Sequence, residues 1–469
     1  MATAALPGYN KGTYTFEQQA FSLSWSTVLS FNIAGEAEEI AVQVKTQVEK
    51  LLGDPEIRQL LGTWTLAWGP AVFADSFTGK KEALNTMYIL VPAEDPEQAL
   101  VAIAGTNGTS LMDWIVEDFN VSETVHWPYN SSPEAGRISK GTAFGLDKLV
   151  NMTAASSQGT AAISAREFLG KGGFKKVLVT GHSLGGALSP CYSLYLDETR
   201  VAWDTTGTIA ISVFPTAGAT PGDADFSRYY GDRLGSATKR VWNSLDPVPR
   251  AFNVETLAPI PTMYEPELSS DLIRKLVGWV QRSTEKHHYT NILPETEGFP
   301  SHFYSIDEIA GKNKPIVDEI RKVAKMLQKV LLPYEWDAGT AIAFIVQALI
   351  QHTIGYLAYF DVGAFAQRMS VVTSQATPVV SEDDSVALRL HKLLTALGNE
   401  PILLDLGHRR PSMVSELKRG EGPLLESILE KVETLNEGKP HAGAQTVIFL
   451  VEEEQELFHG WFGWDRNGK

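Results

Sequence analysis

The chain predicts an α/β protein in which a mainly parallel sheet is covered by helices on both faces. Three observations carry that expectation. Short apolar runs alternate with segments of helical periodicity from about residue 63 to residue 365, the signature of a sheet with crossover helices. One apolar run ends in a glycine-flanked serine and passes directly into a helix. The 469 residues, 43% hydrophobic and 20% charged, have the balance of a folded chain with at least one large core.

In chain order, Glu36 to Leu52 sets Ile40, Val44, Val48 and Leu51 at helical spacing, and Gly53-Asp54-Pro55 stops the pattern. Residues 1–62 are therefore expected to form a helical N-terminal extension. Met87–Val91, Ala99–Ile103, Lys176–Thr180, Thr208–Val213 and Lys239–Trp242 read as strands, and Gly185–Leu196 as a helix. In sheets of this kind ligands sit at the carboxyl ends of the strands. Residues 63–365 make the main domain, with an insertion near 260–335 that carries helical patterns at Leu268–Gln281 and Pro315–Leu331. The longest uncharged stretch, Ala338 to Phe360, could span a bilayer by length. Its Gln347, Gln351 and His352 and its lack of a basic flank favour a buried helix. From Val371 to Asp384 the chain turns rich in Ser, Thr, Pro and acids, as a linker would. Beyond it, Val386–Leu397 and Leu424–Leu435 look helical and Thr446–Val451 looks like a strand. Residues 366–469 are read as a small α/β appendage.

Composition excludes several classes of function. Forty Lys and Arg against 56 Asp and Glu give a net charge of -16, which repels nucleic acid and anionic membranes. The single cysteine, Cys191, rules out an intrachain disulfide and a cysteine-based metal site. Met1 to Gly12 lacks a basic segment followed by an apolar core. That fits an intracellular chain, and equally a secreted one deprived of its leader. Asn-x-Ser/Thr triplets at Asn107, Asn120, Asn130 and Asn151 carry little weight without a leader.

The chemistry concentrates in Lys176-Val177-Leu178-Val179-Thr180-Gly181-His182-Ser183-Leu184-Gly185-Gly186-Ala187-Leu188. Gly-x-Ser-x-Gly between a strand and a helix marks a strained turn that lifts the serine hydroxyl from the sheet edge. The helix opening beside it favours a developing negative charge. Ser183 is the expected nucleophile and the backbone N–H of Leu184 one oxyanion donor. His182 would point away from the hydroxyl and serve packing.

Gly181-His182-Ser183-Leu184-Gly185-Gly186-Ala187-Leu188 resembles the nucleophile motif of the fungal-type, or class 3, lipases, over roughly residues 70 to 362. The resemblance implies the α/β-hydrolase fold and esterase chemistry. Ala104-Gly105-Thr106 is similar to the family's Arg-Gly-Thr/Ser loop, with Ala104 in place of arginine, and makes Thr106 the second oxyanion donor. Asp246, in Asp246-Pro247-Val248-Pro249, matches the family's triad acid and follows a strand in a proline-fixed loop. The histidines after it include His287, His288, His302 and His352. His352 is preferred, because His352-x-x-x-Tyr356 resembles the family's closing motif and the chain order Ser, Asp, His is kept. Leu111, Trp114, Ile115 and Phe119 would share a helical face that the resemblance makes a lid over the site; an ordinary core-facing helix reads the same. Lys140–Phe144 and Phe214–Asp223 also match the family in layout, although Gly-x-Pro-Arg-x-Gly is only partly kept in the second.

The function so expected is ester hydrolysis through an acyl-enzyme, of triacylglycerol lipase or esterase type, with a lipid or ester substrate and transient contact with a lipid interface. No metal or cofactor is needed. Two other readings stay open: a phospholipase or polar-ester esterase, and a catalytically silent binding module on the same scaffold.

Overall fold

The computed structural model describes residues 11–31, 33–75, 81–105, 121–157, 159–305, 320 and 338–373, together with the backbone of 402–409 and 447–453. Thr106, Leu111, Trp114 and Ile115 lie outside the described residues, as do the helical patterns after Val371 and nearly all of Pro315–Leu331. The chain divides into two compact units, Met1–Thr373 and Ser374–Lys469.

In the first unit the described helices are α1 (Phe16–Trp25), α2 (Ala37–Gly53), α3 (Pro55–Leu61), α4 (Lys140–Asn151), α5 (Ala165–Lys171), α6 (Leu184–Glu198), α7 (Ala224–Leu234), α8 (Val254–Leu257), α9 (Asp271–Thr284), α10 (Ala338–His352), α11 (Ile354–Tyr359) and α12 (Gly363–Thr373). The strands are β1 (Trp64–Asp75), β2 (Glu82–Pro92), β3 (Gln98–Ile103), β4 (Thr124–His126), β5 (Arg137–Ser139), β6 (Thr153–Ser156), β7 (Gly159–Ser164), β8 (Lys176–His182) and β9 (Ala210–Thr216). Seven of them form one sheet in the order β7-β6-β1-β2-β3-β8-β9, and β4 pairs with β5 separately.

The α/β-hydrolase architecture is present, but the sheet is mixed where a mainly parallel one was expected. Only β3–β8 and β8–β9 run parallel; β1–β2, β2–β3, β1–β6 and β6–β7 are antiparallel. The reason is connection length. A parallel neighbour needs a long crossover, whereas only a few residues of chain separate β1 from β2 and β2 from β3. Lys239–Trp242 forms no full strand either. It adds bridges to the β9 edge, through Lys239 N–H to Val213 O and Val241 N–H to Pro215 O.

Both faces of the central strands β2, β3 and β8 are largely buried, and side-chain alternation sorts their residues between two cores. Ala99, Val101 and Ile103 of β3 join one core with α4 and α6; Leu100 and Ala102 join the other. That second core takes Phe21 and Trp25 of α1, Ile40, Val44 and Val48 of α2, Tyr356 of α11, Phe360 just after it, and Phe365 of α12. Residues 11–61 thus form, with the end of the first unit, the helical layer on one side of the sheet. Arg368 of α12 ties the layer together by pairing with Asp54, at the start of α3, at 2.7 Å. Gly339–Tyr359 is long and apolar enough to cross a membrane, yet most of it is buried inside the unit, and the helix breaks at Thr353.

In the second unit β10 (Ile402–Arg409) and β11 (Val447–Glu453) pair in parallel.

Candidate active site

Three parallel strand ends, β3, β8 and β9, converge on the turn after β8. Ser183 sits there with φ 62° and ψ −121°, backbone angles that a residue with a side chain rarely adopts. Two contacts hold it so. The Ser183 N–H donates to Thr216 O at the end of β9 (3.0 Å), and Ser183 O accepts the Ala187 N–H as α6 opens. Gly181 and Gly185 are steric necessities. A Cβ on Gly181 would overlap the Gly185 backbone, and one on Gly185 would overlap the carbonyl oxygen of Ile103. Leu184 is the first residue of α6, so its N–H belongs to the helical turn that has no carbonyl partner within the helix.

Asp246 follows the bridging segment and is fully buried. Its carboxylate accepts three bonds: from Val248 N–H on Oδ1 (2.9 Å), and from His352 Nδ1 (2.7 Å) and Tyr356 Oη (3.0 Å) on Oδ2. A carboxylate only accepts, so His352 Nδ1 carries the proton and Nε2 of the neutral ring presents its lone pair. Tyr356 stays a donor, because burial and the Asp246 charge push its phenol well above the ordinary range. The half-buried Arg250 guanidinium, on the same loop, donates to Ser244 O, and partial burial lowers its pKa against the pull of Asp246.

His352 is the last residue of α10, and a polar latch fixes that helix end. Asn243 Nδ2 donates to the backbone oxygen of Gln351 (3.0 Å) and to its Oε1 (2.8 Å). Ser301 Oγ reaches the same Oε1, and Gln351 Nε2 donates to His302 O. Asn243 and Ser301 do not stand out in the sequence, and Gln351 does so only as a polar residue in an apolar stretch. The available signal was an amide side chain inside an otherwise apolar helix, which must find partners when buried.

Ser183 Oγ and His352 Nε2 are both buried, and among the described residues neither makes a hydrogen bond to a protein group or to the other. The His352 ring lies 4.9 Å, centroid to centroid, from that of His182, the neighbour of Ser183. His182 itself is engaged at both nitrogens: Nδ1 with Thr216 Oγ1 (3.0 Å) and Nε2 with His352 O (2.9 Å). The other histidines considered lie elsewhere. His287 Nε2 meets Ser122 O near the surface, His288 occupies a left-handed turn, and the His302 ring packs on Tyr304. Among the described residues no group of three His, Cys, Asp or Glu side chains is arranged to hold a metal ion.

Residues 100–256 match the family described as "Lipase (class 3)", and residues 389–458 match a family of unknown function. Among solved structures the chain is similar to M37 lipase, with 27% identity over 77% of this chain and 98% of that one, and a TM-score of 0.61. Lipase II from Rhizopus niveus matches at 16% identity over 48% of this chain and 78% of its own, with a TM-score of 0.32. The lipase from Rhizopus microsporus var. chinensis matches at 15% over 54% and 78%, also with a TM-score of 0.32. No curated protein matches the sequence. The family match over residues 100–256, which hold the elbow and the sheet around it, together with the likeness to M37 lipase, supports a class 3 lipase-like chain of the α/β-hydrolase superfamily and a hydrolase of the lipase/esterase type.

Proposed function

We propose that the chain hydrolyses carboxylic esters of neutral lipids, triacylglycerols foremost, with Ser183 as nucleophile, His352 as general base and Asp246 as the group that orients the base. The observation that carries this reading is the 2.7 Å contact between Asp246 Oδ2 and His352 Nδ1, which leaves Nε2 as the proton acceptor beside the strained Ser183 turn. Ser183 Oγ attacks the ester carbonyl carbon while its proton passes to His352 Nε2. The carbonyl electrons move onto oxygen, where the Leu184 N–H donates; Thr106 is the second donor in this proposal. Each such donor contributes about 2.7–4 kcal/mol of transition-state stabilisation in comparable sites. Collapse expels the alcohol, which takes the proton from His352, and leaves an acyl-serine. Water then attacks, losing its proton to the same nitrogen, and the collapse returns that proton to Ser183 Oγ as the carboxylic acid departs. Bonds of this kind are often long before substrate binds and tighten in the reacting complex, as the free Ser183 hydroxyl requires.

Two features favour a neutral lipid ester over an anionic one: the similarity to M37 lipase, and the net charge of -16, which opposes anionic head groups. The test is Ser183→Ala assayed on p-nitrophenyl esters of graded chain length, on emulsified triacylglycerol and on a phospholipid. The expected loss of kcat is about 10⁴-fold or more on every substrate turned over. Retained turnover rejects the mechanism. Failure of a fluorophosphonate to label Ser183 in the unmodified chain would point instead to a silent binding module.

A further inference from the structure

Most of the machinery above has a recognised task, but His182 does not. Its imidazole is buried between the elbow and α10, edge-on to Phe21 (5.8 Å), Trp25 (5.2 Å) and Tyr356 (4.9 Å). Its Nε2 faces a backbone carbonyl, that of His352, which can only accept. Nε2 must therefore carry the proton. Burial, reinforced by the nearby His352, holds the ring neutral by driving its pKa well below 6.5. Nδ1 is then an acceptor, and Thr216 Oγ1 donates to it. Thr216 thus grips two consecutive residues: its hydroxyl takes His182 and its carbonyl takes the Ser183 N–H.

We propose that His182 is a positioning residue that sets the distance between Ser183 and His352, by donating from Nε2 to the His352 carbonyl while bonded through the chain to Ser183. This rests on the reading of Ser183 and His352 as nucleophile and base. Asp246 fixes how the His352 ring is turned, through Nδ1. It does not fix how far the backbone carrying that ring stands from the elbow. The carbonyl of a residue at a helix C-terminus has no partner within the helix, so a side chain from the elbow can claim it. His182 spans that gap with one covalent link and one 2.9 Å hydrogen bond. No flexible segment intervenes.

The two nitrogens can be separated by substitution. His182→Gln places an amide N–H near the former Nε2 and keeps the bond to His352 O. His182→Asn stops short, near the former Nδ1, and loses it. On a soluble p-nitrophenyl ester, His182→Asn should lower kcat about 10- to 100-fold, the loss that a misplacement of about 1 Å can bring. KM should stay within about twofold, and His182→Gln should return kcat to within about fivefold of the parent. Equal losses in both variants, or a change carried by KM, would overturn the proposal. Ser183→Ala run beside them separates the two ideas: if it is inactive while His182→Asn is not impaired, only the positioning role is lost. If it remains active, the nucleophile reading and the positioning role fall together. Should neither His182 variant fold, the ¹⁵N spectrum of histidine-labelled unmodified protein decides. A neutral ring protonated on Nε2 is expected at position 182, and one protonated on Nδ1 refutes the bond to His352.

Discussion

The elbow and the corner that supplies His352 reach the same degree of burial by opposite routes. The elbow is made of one continuous stretch, β8 and α6, and its constraints are steric and local: glycines where a Cβ would strike backbone, and a serine held at positive φ. The His352 corner is made of distant pieces. Asn243, Ser301 and Gln351 meet across roughly fifty to a hundred residues of chain, and their grip is hydrogen bonding in a dry interior. A site can therefore be rigid at both ends while only one end is written locally. The elbow should fail all at once when disturbed, and the corner by degrees.

Gly185→Ala presses hardest on this contrast. Its Cβ would overlap the Ile103 carbonyl, which belongs to a central strand and cannot swing aside. Overpacking of this kind costs about 3 kcal/mol or more, so Tm should fall by about 5 °C or more, with hydrolysis and fluorophosphonate labelling lost together. A stable, active variant would show that the elbow is more forgiving than the geometry allows.

Asn243→Ala disturbs the other end. It removes two bonds to Gln351 and leaves the Leu245 N–H without the Asn243 Oδ1. An unpaired buried group costs about 1–3 kcal/mol, and kcat should drop about 10- to 100-fold while the fold, read by circular dichroism, stays intact. A loss below twofold would mean that the latch does not place the base.

The smallest effect is a pH dependence. The folded chain refuses a proton at His182 that the unfolded chain takes up near 6.5. The resulting stability is complete above that pH and is eroded as pH falls below it toward the folded value. The slope is at most one proton, about 1.4 kcal/mol per pH unit. Melting curves from about pH 8 to pH 5 should fall more steeply for the unmodified protein than for His182→Gln. Parallel curves would remove His182 from the account.

Much of this was legible before any coordinates. Continuous apolar runs at β3 and β8 betray strands buried on both faces, and the glycines around Ser183 betray a turn that only they allow. Asp246 stood out because Pro247 and Pro249 stiffen its loop, and His352 because Tyr356 follows it by four residues; across the break at Thr353 both come to share Asp246 Oδ2. The direction of β1 and β2 was not legible from periodicity, since alternation looks the same in either direction. Residues 1–62 read only as a helical extension, because an amphipathic helix does not name the surface it covers.

What the sequence determined alone is whatever depends on residues close along the chain: caps, the elbow, the apolar stripes of α2 and β8. What only the tertiary structure decided is which distant polar groups meet. Burial makes an unpaired amide, imidazole or carbonyl costly, but many partners in a chain of this length could satisfy it. Packing of the helices on the sheet selected one set, and with it the place of His182 against the carbonyl of His352.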